Sequence, residues 1–259
     1  MKKIIIIGGV AAGMSAAAKA KRLNPELEIV VYEKTDIVSW GACGLPYYVG
    51  DFYQDANIMI AREPEQFAKD GIVVKSLHEV IDIDITKKEV LVLNKKTGEK
   101  FYDSYDEVIV TTGASAIRPN IKNIDSENIF NLKDFRDGIE LKKAMLKEEN
   151  RKVIIIGAGY IGLEAGEAAR HLNKEVKIIQ LSSRVLPGSF DKEITDLMEE
   201  ELNNTENIDF VTGKENKKSH GWGVKIIKET VAATGGRIDY IKAGTNQIHV
   251  EVFMPFAKL

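Results

Sequence analysis

The chain has 259 residues, of which 44% are hydrophobic and 29% are charged, and its 36 basic and 39 acidic side chains give a net charge of -3. This composition is typical of a globular protein with a sizeable core and excludes disorder, collagen and coiled coil. A charge this small creates no field that would attract nucleic acid or an anionic membrane, so neither is expected as a partner. The single cysteine, Cys43, excludes a disulfide framework and a multi-cysteine cluster, and no metal site is expected.

The first residues imitate a secretory signal, because Met1, Lys2 and Lys3 precede four isoleucines and an alanine-rich stretch. Two features oppose this alternative. Glycines interrupt the apolar run after residue 7, and a second β run ends in Glu33, as it does in a nucleotide-binding unit. No run approaches the ~18 apolar residues of a membrane span. We therefore expect a cytoplasmic protein.

The N-terminal pattern predicts a β–α–β unit. Residues 3–7 form an apolar β run, a glycine turn follows, a helix extends to about residue 23, and residues 28–32 form a second β run. Further short strands are predicted at 72–75, 80–85, 90–94, 99–102 and 107–110, with a hairpin turn at 95–98. A polar linker begins near Arg118 and Pro119.

The same pattern restarts after a predicted helix at about 135–149. A strand at 151–156, a glycine turn, a helix at 163–172 and a strand at 175–181 form a second βαβ unit. The expected fold class is therefore α/β, with two Rossmann-like three-layer domains, the second incomplete, and a short α+β C-terminal tail. Two dinucleotide sites are implied.

A Gly-x-Gly-x-x-Gly turn between strand and helix lets the backbone approach a pyrophosphate, whose charge then lies at the helix N-terminus. The second unit has all three glycines, at positions 157, 159 and 162. The first unit has Gly8 and Gly13, but Val10 occupies the middle position, so a slightly different turn is expected. An isolated match is equally compatible with a tight turn that binds nothing, whereas two matches in context favour dinucleotide sites.

The residue that ends the second strand of each unit is expected to contact the ribose of the bound nucleotide. In the first unit it is Glu33, and an acid at this position can bind ribose hydroxyls. In the second unit it is Gln180, which can bond a ribose hydroxyl but does not repel a 2′-phosphate as a carboxylate would. The sequence therefore leaves the choice between NADH and NADPH open.

Four segments, 8–18, 39–50, 112–114 and 157–164, resemble in order and spacing the FAD-dependent pyridine nucleotide–disulfide oxidoreductases. The branch with coenzyme A disulfide reductases and NADH oxidases is the most similar, because its members carry a single redox cysteine in a Cys-Gly-Leu-Pro-Tyr-like context. The resemblance covers residues 1 to about 213. It implies an oxidoreductase with FAD on the first unit, NAD(P)H on the second and Cys43 as the catalytic thiol beside the flavin.

The resemblance also implies the residues that contact the two cofactors. These are Gly8, Gly9, Ala11, Ala12, Gly13, Glu33, Lys34, Val80, Thr112, Gly113, Ala114, Gly157, Gly159, Tyr160, Ile161, Gly162, Glu164 and Gln180. Electrons would pass from NAD(P)H through FAD to Cys43, which forms a mixed disulfide with coenzyme A disulfide or cycles through a sulfenic acid with oxygen or peroxide.

The position of Cys43 before a predicted helix start favours a stabilised thiolate, although a lone cysteine is more usually a small buried hydrophobe. A substrate site is predicted on the first helix. Ser15, Lys19 and Arg22 share one face and present two cations to phosphates. Residues at these positions and at Ser39 contact substrate in the coenzyme A reductases. The alternative is a solvated basic face.

Relatives of this family form homodimers and continue past this length with a second FAD segment and a dimerisation domain, so a truncated chain is expected. The predicted domains are 1–118, the first segment of the FAD-binding domain, 119–213, a partial NAD(P)-binding domain, and 214–259, an unrelated tail. Residues 219–256 resemble the C-terminal piece of a histidine-kinase-type ATPase domain, which suggests a fusion or frameshift product. The other readings left open are a non-catalytic nucleotide-binding fragment and an ATP-binding signalling module.

Overall fold

The computed structural model of the chain describes residues 1–118, 123–186, 188–206, 208–212, 237–242 and 248–253. The chain divides into two compact units, Met1–Leu45 with Asp55–Ser115 and Pro46–Gln54 with Ala116–Leu259. The short segment Pro46–Gln54 therefore belongs to the second unit, although its sequence interrupts that of the first. Each unit contains its own parallel sheet.

The first unit has seven strands in two sheets. The strands are β1 (Lys3–Ile7), β2 (Glu28–Glu33), β3 (Ile72–Ser76), β4 (His78–Asp84), β5 (Glu89–Asn94), β6 (Lys100–Ser104) and β7 (Glu107–Val110). A parallel sheet has the order β3-β2-β1-β7, and an antiparallel sheet has the order β4-β5-β6. Its helices are α1 (Ala11–Leu23) and α3 (Pro64–Lys69). Helix α2 (Leu45–Val49) lies between them in the chain and falls, apart from Leu45, within the segment Pro46–Gln54 of the second unit.

The parallel sheet of the first unit is covered on both faces, which explains its continuous apolar runs. On one face, Ile6 of β1 packs with Met14 of α1 and Phe67 of α3. On the other face, Tyr32 of β2 packs with Val90 of the antiparallel sheet. These three layers agree with the predicted architecture of this unit.

The second unit has a three-stranded parallel sheet of order β10-β9-β8. Its elements are α4 (Phe135–Met145), β8 (Lys152–Ile156), α5 (Tyr160–His171), β9 (Glu175–Gln180), α6 (Lys192–Asn204) and β10 (Ile208–Thr212). The core joins Ile178 of β9, Ala168 of α5 and Met145 of α4, and Val49 of the inserted segment packs with them. Two further strands, β11 (Arg237–Lys242) and β12 (Ile248–Phe253), pair antiparallel.

The structure confirms the mixed α/β class with parallel sheets and corrects several predicted boundaries. Helix α5 begins at Tyr160 rather than at residue 163, because Gly159 is its N-cap and the glycine turn overlaps its first turn. Helix α4 ends at Met145 rather than near residue 149, where Asn150 Nδ2 donates to the Ala144 carbonyl and closes a turn. The two strands expected in the tail are β11 and β12. The predicted tail helix and the linker residue Pro119 lie outside the described residues.

Among the residues that the structure describes, no helix combines the length and the apolar character needed to cross a membrane.

Candidate dinucleotide-binding turns and the cysteine segment

The turn between β1 and α1 can only be built with glycine at its outer positions. Gly8 has a φ of 106°, in the region that side-chain-bearing residues rarely adopt, and its N–H donates to the Tyr32 carbonyl at 2.8 Å. A Cβ on Gly13 would lie 1.8 Å from the Gly8 carbonyl oxygen. The first turn of α1 therefore packs directly on the end of β1.

The turn between β8 and α5 repeats this geometry. Gly157 has a φ of 107°, and its N–H donates to the Ile179 carbonyl at 2.8 Å. A Cβ on Gly162 would lie 1.9 Å from the Gly157 carbonyl oxygen. The two motifs in the sequence thus form the same backbone structure, including the close approach of helix to strand.

The two turns differ mainly at the middle position, as the sequence predicts. Val10 has φ -101° and ψ -146°, whereas Gly159 has φ -81° and ψ -177°. A Cβ on Gly159 would meet nothing within 4 Å, so the space beside this position is open. No side chain caps either helix, and neither has an acid in its first turn. Both N-termini can therefore accept an anion.

Behind the first turn, Glu33 is 5% exposed and is held by three hydrogen bonds. Its Oε2 accepts from the Gly9 N–H at 2.7 Å, and its Oε1 accepts from the N–H and the hydroxyl of Thr35, both at 2.8 Å. The carboxylate is thereby fixed against the glycine turn, where the sequence predicts a ribose-binding acid. Lys34, the next residue, is exposed.

Gln180 occupies the corresponding place in the second unit. Its Oε1 accepts from the Ala158 N–H at 3.0 Å, and its Nε2 donates to Ser182 Oγ at 2.7 Å. The Ser182 hydroxyl in turn donates to the Arg184 carbonyl at 2.8 Å. The second turn is thus braced like the first, but by a neutral side chain.

A second hydrogen bond ties each turn to the loop that follows the second strand. The Ser39 N–H donates to the Gly9 carbonyl at 2.8 Å, and the Leu186 N–H donates to the Ala158 carbonyl at 3.0 Å. Ser39 follows Glu33 by as many residues as Leu186 follows Gln180, and their φ angles are 48° and 43°. The hydrogen-bond plan is therefore duplicated beyond the glycine motif itself.

Sequence reasoning missed Thr111 as a residue of the first site. Its Oγ1 donates to the carbonyls of Ile7 and Gly8, at 2.8 and 3.1 Å, and so joins the end of β7 to the turn. The sequence signal that could have identified Thr111 is its position directly after β7, the strand that pairs with β1. Thr112, Gly113 and Ala114 follow it and are exposed, with Gly113 at a φ of 68°.

Cys43 lies in a 3₁₀ turn, Ala42–Gly44, which runs directly into α2. The turn belongs to the first unit, where the Gly41 N–H donates to the Met59 carbonyl at 2.8 Å and Trp40 forms a β-bridge with Ile60. The thiol is exposed. The alternative of a small buried hydrophobe is therefore wrong.

The remaining predicted residues lie in different environments. Those at the N-terminal ends of α1 and α5, and those on the predicted substrate face of α1, are exposed: Ala11, Ala12, Tyr160, Ile161, Glu164, Ser15, Lys19 and Arg22. Val80 of β4 instead packs against the core of the first unit. Their contacts with cofactor or substrate stay predictions. Within the described ranges, no group of His, Cys, Asp and Glu could hold a metal ion.

Together, the duplicated turns and the parallel sheets define a protein with two dinucleotide-binding units. The model of the pyridine nucleotide-disulphide oxidoreductase family matches residues 2–245, and the chain belongs to this family. FAD and NAD(P)H, the cofactors predicted from the sequence, are those of the family.

Two curated relatives show which members of the family the chain is similar to. The chain is 39% identical over 208 residues to an NAD(P)H sulfur oxidoreductase (CoA-dependent) of Pyrococcus abyssi, an alignment that covers 80% of this chain and 46% of that protein. It is 38% identical over 186 residues to a coenzyme A disulfide reductase of Staphylococcus epidermidis, which covers 71% of this chain and 42% of that protein. The chain thus spans less than half the length of these curated relatives.

A solved structure agrees in fold. The water-forming NADH oxidase of Lactobacillus brevis bound to NADH superposes with a TM-score of 0.78 at 26% identity, which covers 97% of this chain and 50% of that one. The family match runs through residue 245 and so extends into the tail. The resemblance of residues 219–256 to a histidine-kinase-type ATPase has no support among these relatives and stays a prediction, as do the domain boundaries at 118 and 213.

Proposed function

We propose that the chain forms the cofactor-binding part of an NAD(P)H-dependent flavin disulfide reductase that reduces coenzyme A disulfide or a similar small disulfide at Cys43. The observation that carries this proposal is the duplicated turn. Two dinucleotide sites in one chain can hold an electron donor, NAD(P)H, and an electron relay, FAD. Family membership and the names of the relatives support it.

The residues around the first turn fit FAD. Gly8 and Gly13 let the backbone approach a pyrophosphate at the uncapped end of α1, and the carboxylate of Glu33, held beside the turn by the Gly9 N–H, is the group that would accept from ribose hydroxyls. The second turn offers the same cradle to NAD(P)H at the uncapped end of α5. Bound FAD would supply the relay that carries two electrons from the nicotinamide to sulfur.

Cys43 performs the sulfur chemistry. As a thiolate it attacks one sulfur of coenzyme A disulfide, forms a mixed disulfide with that half and releases the other half as a thiolate. Two electrons and a proton, which NAD(P)H provides, then release the second coenzyme A and restore the Cys43 thiolate. The net reaction consumes one disulfide, one NAD(P)H and one proton from solvent, and it gives two thiols and one NAD(P)+. Exposure of Cys43 is required, because a bulky substrate must reach it.

The exposed side chains of Lys19 and Arg22 on α1 can bind the phosphates of coenzyme A, with Ser15 as a hydroxyl donor. Ser39 lies in the loop that its own N–H ties to the first turn. These four residues form the substrate site that we infer. A free redox thiol is consistent with a cytoplasmic location, which we also infer.

The purified chain tests this function directly. We expect it to bind FAD, seen as a yellow protein with quenched flavin fluorescence, and to consume NAD(P)H when coenzyme A disulfide is added. Cys43→Ser should abolish this consumption and leave FAD binding unchanged, because the hydroxyl cannot form a mixed disulfide. A protein that binds no flavin would support the non-catalytic fragment, and an undiminished rate in Cys43→Ser would exclude the proposed role of the thiol.

A second candidate function is NADH oxidase or peroxidase activity, in which Cys43 cycles through a sulfenic acid. The likeness to the water-forming NADH oxidase favours it, since the same single thiol serves both chemistries. Oxygen or peroxide consumption in the absence of any disulfide, with a sulfenic acid trapped at Cys43 by dimedone, would favour the oxidase. Consumption of NAD(P)H that depends on added disulfide would favour the reductase.

A further inference from the structure

The hydroxyl of Thr111 contacts a peptide group of the first turn that has glycine on both sides. We propose that Thr111 is a positioning residue for the cofactor of the first unit, because together with Glu33 it fixes the orientation of the peptide group between Gly8 and Gly9. This inference rests on the proposed function, since the turn concerned is the one to which we assign FAD.

The peptide group between Gly8 and Gly9 is bound at both ends by side chains. The Gly8 carbonyl accepts from Thr111 Oγ1 at 3.1 Å, and the Gly9 N–H donates to Glu33 Oε2 at 2.7 Å. Thr111 follows β7 and Glu33 ends β2, the two strands that flank β1. The C=O and N–H of a trans peptide point in opposite directions, so the two side chains hold it from opposite sides. Rotation of the peptide breaks both hydrogen bonds.

The Thr111 hydroxyl has one hydrogen, which two carbonyls share. The second acceptor is the Ile7 carbonyl at 2.8 Å, but this carbonyl also accepts from the Thr111 N–H at 2.8 Å. The described residues give the Gly8 carbonyl no donor other than the hydroxyl. Loss of the hydroxyl therefore frees the Gly8 carbonyl, whereas the backbone hydrogen bond that joins β7 to β1 remains.

The close approach of Glu33 requires a glycine at position 9. A Cβ on Gly9 would lie 2.9 Å from the Cβ of Glu33 and 3.0 Å from Val38 Cγ1. Gly8 must also be glycine, because its φ is 106° and a Cβ there would lie 2.3 Å from the Thr111 carbonyl oxygen. Two adjacent glycines restrict the rotation of the peptide between them very little. This peptide therefore depends on hydrogen bonds for its orientation.

The second unit restricts the equivalent peptide by a different means. This peptide joins Gly157 to Ala158, whose N–H donates to Gln180 Oε1 at 3.0 Å. Half a turn of the peptide would carry Ala158 from a negative to a positive φ, which the Cβ of alanine disfavours. In the described part of this unit, no side chain donates to the Gly157 carbonyl. The methyl group of Ala158 thus provides the restriction that the Thr111 hydroxyl provides in the first unit.

Thr111 acts on the cofactor through Glu33. In the observed orientation the Gly9 N–H holds the carboxylate beside the turn. In the rotated orientation the Gly8 carbonyl oxygen would face the carboxylate, and two oxygens without a hydrogen between them repel each other. Glu33 would then be held by Thr35 alone and would leave the place where it accepts from a ribose hydroxyl. Loss of the Thr111 hydroxyl should therefore weaken FAD binding.

The test compares Thr111→Ala with Thr111→Ser, two variants that differ from each other only by the hydroxyl. Hydrogen exchange of the Gly9 amide, measured by NMR on the full chain before FAD is added, reports rotation of the peptide. We expect this amide to exchange about fivefold faster in Thr111→Ala than in Thr111→Ser, the effect of one hydrogen bond. The Ala158 amide of the second unit should exchange at rates that agree within about twofold.

Two further measurements separate this role from a general effect on stability. The Ile6 amide lies in β1, between β2 and β7, and its exchange reports opening of the whole unit; the two variants should agree there within about twofold. FAD should bind about fivefold more weakly to Thr111→Ala than to Thr111→Ser.

Thr86→Ala is the matched control, because it is the same substitution on an exposed turn of the first unit. We expect it to leave the exchange of all three amides and the affinity for FAD unchanged. If Thr111→Ala does not fold, Thr111→Val takes its place, since valine lacks the hydroxyl and keeps the volume of threonine.

The outcomes separate the inference from the proposed function. Equal exchange of the Gly9 amide in Thr111→Ala and Thr111→Ser, or equal acceleration of the Gly9 and Ile6 amides, would overturn the inference, and the function stands if the unaltered chain binds FAD. Selective acceleration at Gly9 with unchanged FAD affinity would overturn the positioning role. Selective acceleration in a chain that binds no FAD would overturn the function and support the fixing of the peptide. Selective acceleration with weaker FAD binding would support both.

Discussion

At the residue scale, two glycines of the second turn have opposite structural roles. A Cβ on Gly162 would lie 1.9 Å from the Gly157 carbonyl oxygen, whereas a Cβ on Gly159 would meet nothing within 4 Å. We expect Gly162→Ala to reduce the free energy of unfolding by about 2–3 kcal/mol, because helix and strand must separate. Gly159→Ala should change it by less than about 0.5 kcal/mol.

Urea denaturation followed by circular dichroism measures the free energy of unfolding of both glycine variants. The first unit already carries Val10 at the position that corresponds to Gly159, which supports the mild effect of the second variant. Equal stability of the two variants would contradict the packing seen between α5 and β8.

The cations on the exposed face of α1 are also tested at the residue scale. We expect Lys19→Gln and Arg22→Gln each to weaken the binding of coenzyme A about fivefold, since each exposed phosphate contact contributes about 1 kcal/mol. Calorimetry at low salt measures this effect. Lys69→Gln on α3 is the control with the same change of charge and should bind normally. Unchanged binding in both α1 variants would favour the solvated basic face.

At the element scale, an ion pair between a buried lysine and a partly exposed aspartate attaches the inserted segment Pro46–Gln54 to α4. Lys142 is 5% exposed, its Nζ lies 2.7 Å from Asp51 Oδ1, and it donates to the Tyr53 carbonyl at 2.7 Å. The ammonium also lies 4.2 Å from the ring centroid of Tyr48. A buried cation without these partners would be unstable, so the contacts determine where the segment packs.

Removal of this cation should destabilise the second unit. We expect Lys142→Met to reduce the free energy of unfolding by about 1–3 kcal/mol, less than for a fully buried pair because water can reach the freed carboxylate. The matched control is Lys143→Met one residue along, since Lys143 pairs with Glu140 at the surface. That variant should change stability by less than about 0.5 kcal/mol. Similar denaturation midpoints for the two variants would contradict the proposed anchor.

A hydrogen bond from Tyr32 OH to Asp103 Oδ2, 2.7 Å long, joins the two sheets of the first unit. Burial, followed by this hydrogen bond and the charge of Asp103, raises the pKa of the Tyr32 phenol well above its ordinary value. The folded state therefore favours the protonated phenol. Its contribution to stability is fully present below the unfolded pKa of about 10 and decreases as the pH rises above it.

The pH dependence of Tyr32→Phe tests this link. We expect the variant to be about 1 kcal/mol less stable at neutral pH, and the difference from the unaltered chain to shrink as the pH rises past about 10. Urea denaturation at a series of pH values measures it. Tyr102→Phe, which alters an exposed phenol on β6, is the control. A difference that stays constant across this range would show that Tyr32 titrates normally.

At the scale of the whole molecule, each unit has its own core and its own turn. Ile5 and Val30 belong to clusters of the first unit, and Ile178 and Ala168 belong to that of the second. A substitution that abolishes nucleotide binding in one unit should therefore leave nucleotide binding in the other unit unchanged.

A valine at Gly13 tests this independence. Its Cβ would lie 1.8 Å from the Gly8 carbonyl oxygen, so Gly13→Val should abolish FAD binding. We expect NAD(P)H binding by the second unit, measured by calorimetry, to change by less than about threefold. Gly162→Val should have the opposite pattern. Loss of both ligands in either variant would show that the two units fold as one.

Local sequence patterns were sufficient for much of this protein. The bounds of β1 and β7, the βαβ order and both glycine turns could be predicted, because apolar periodicity and the conformational freedom of glycine act over a few neighbouring residues. The position of Glu33 behind the first turn was also predictable. It lies at the end of β2, and the end of β2 pairs with the end of β1.

Only the tertiary structure decided which distant groups complete these elements. It placed Pro46–Gln54 in the second unit through the contact of Lys142 with Asp51, and it brought Thr111 against Gly8. It also showed that Gln180 braces its turn as Glu33 does. Each of these contacts joins residues far apart in the chain, and no local pattern encodes them because their free energy arises only when the sheets and helices pack.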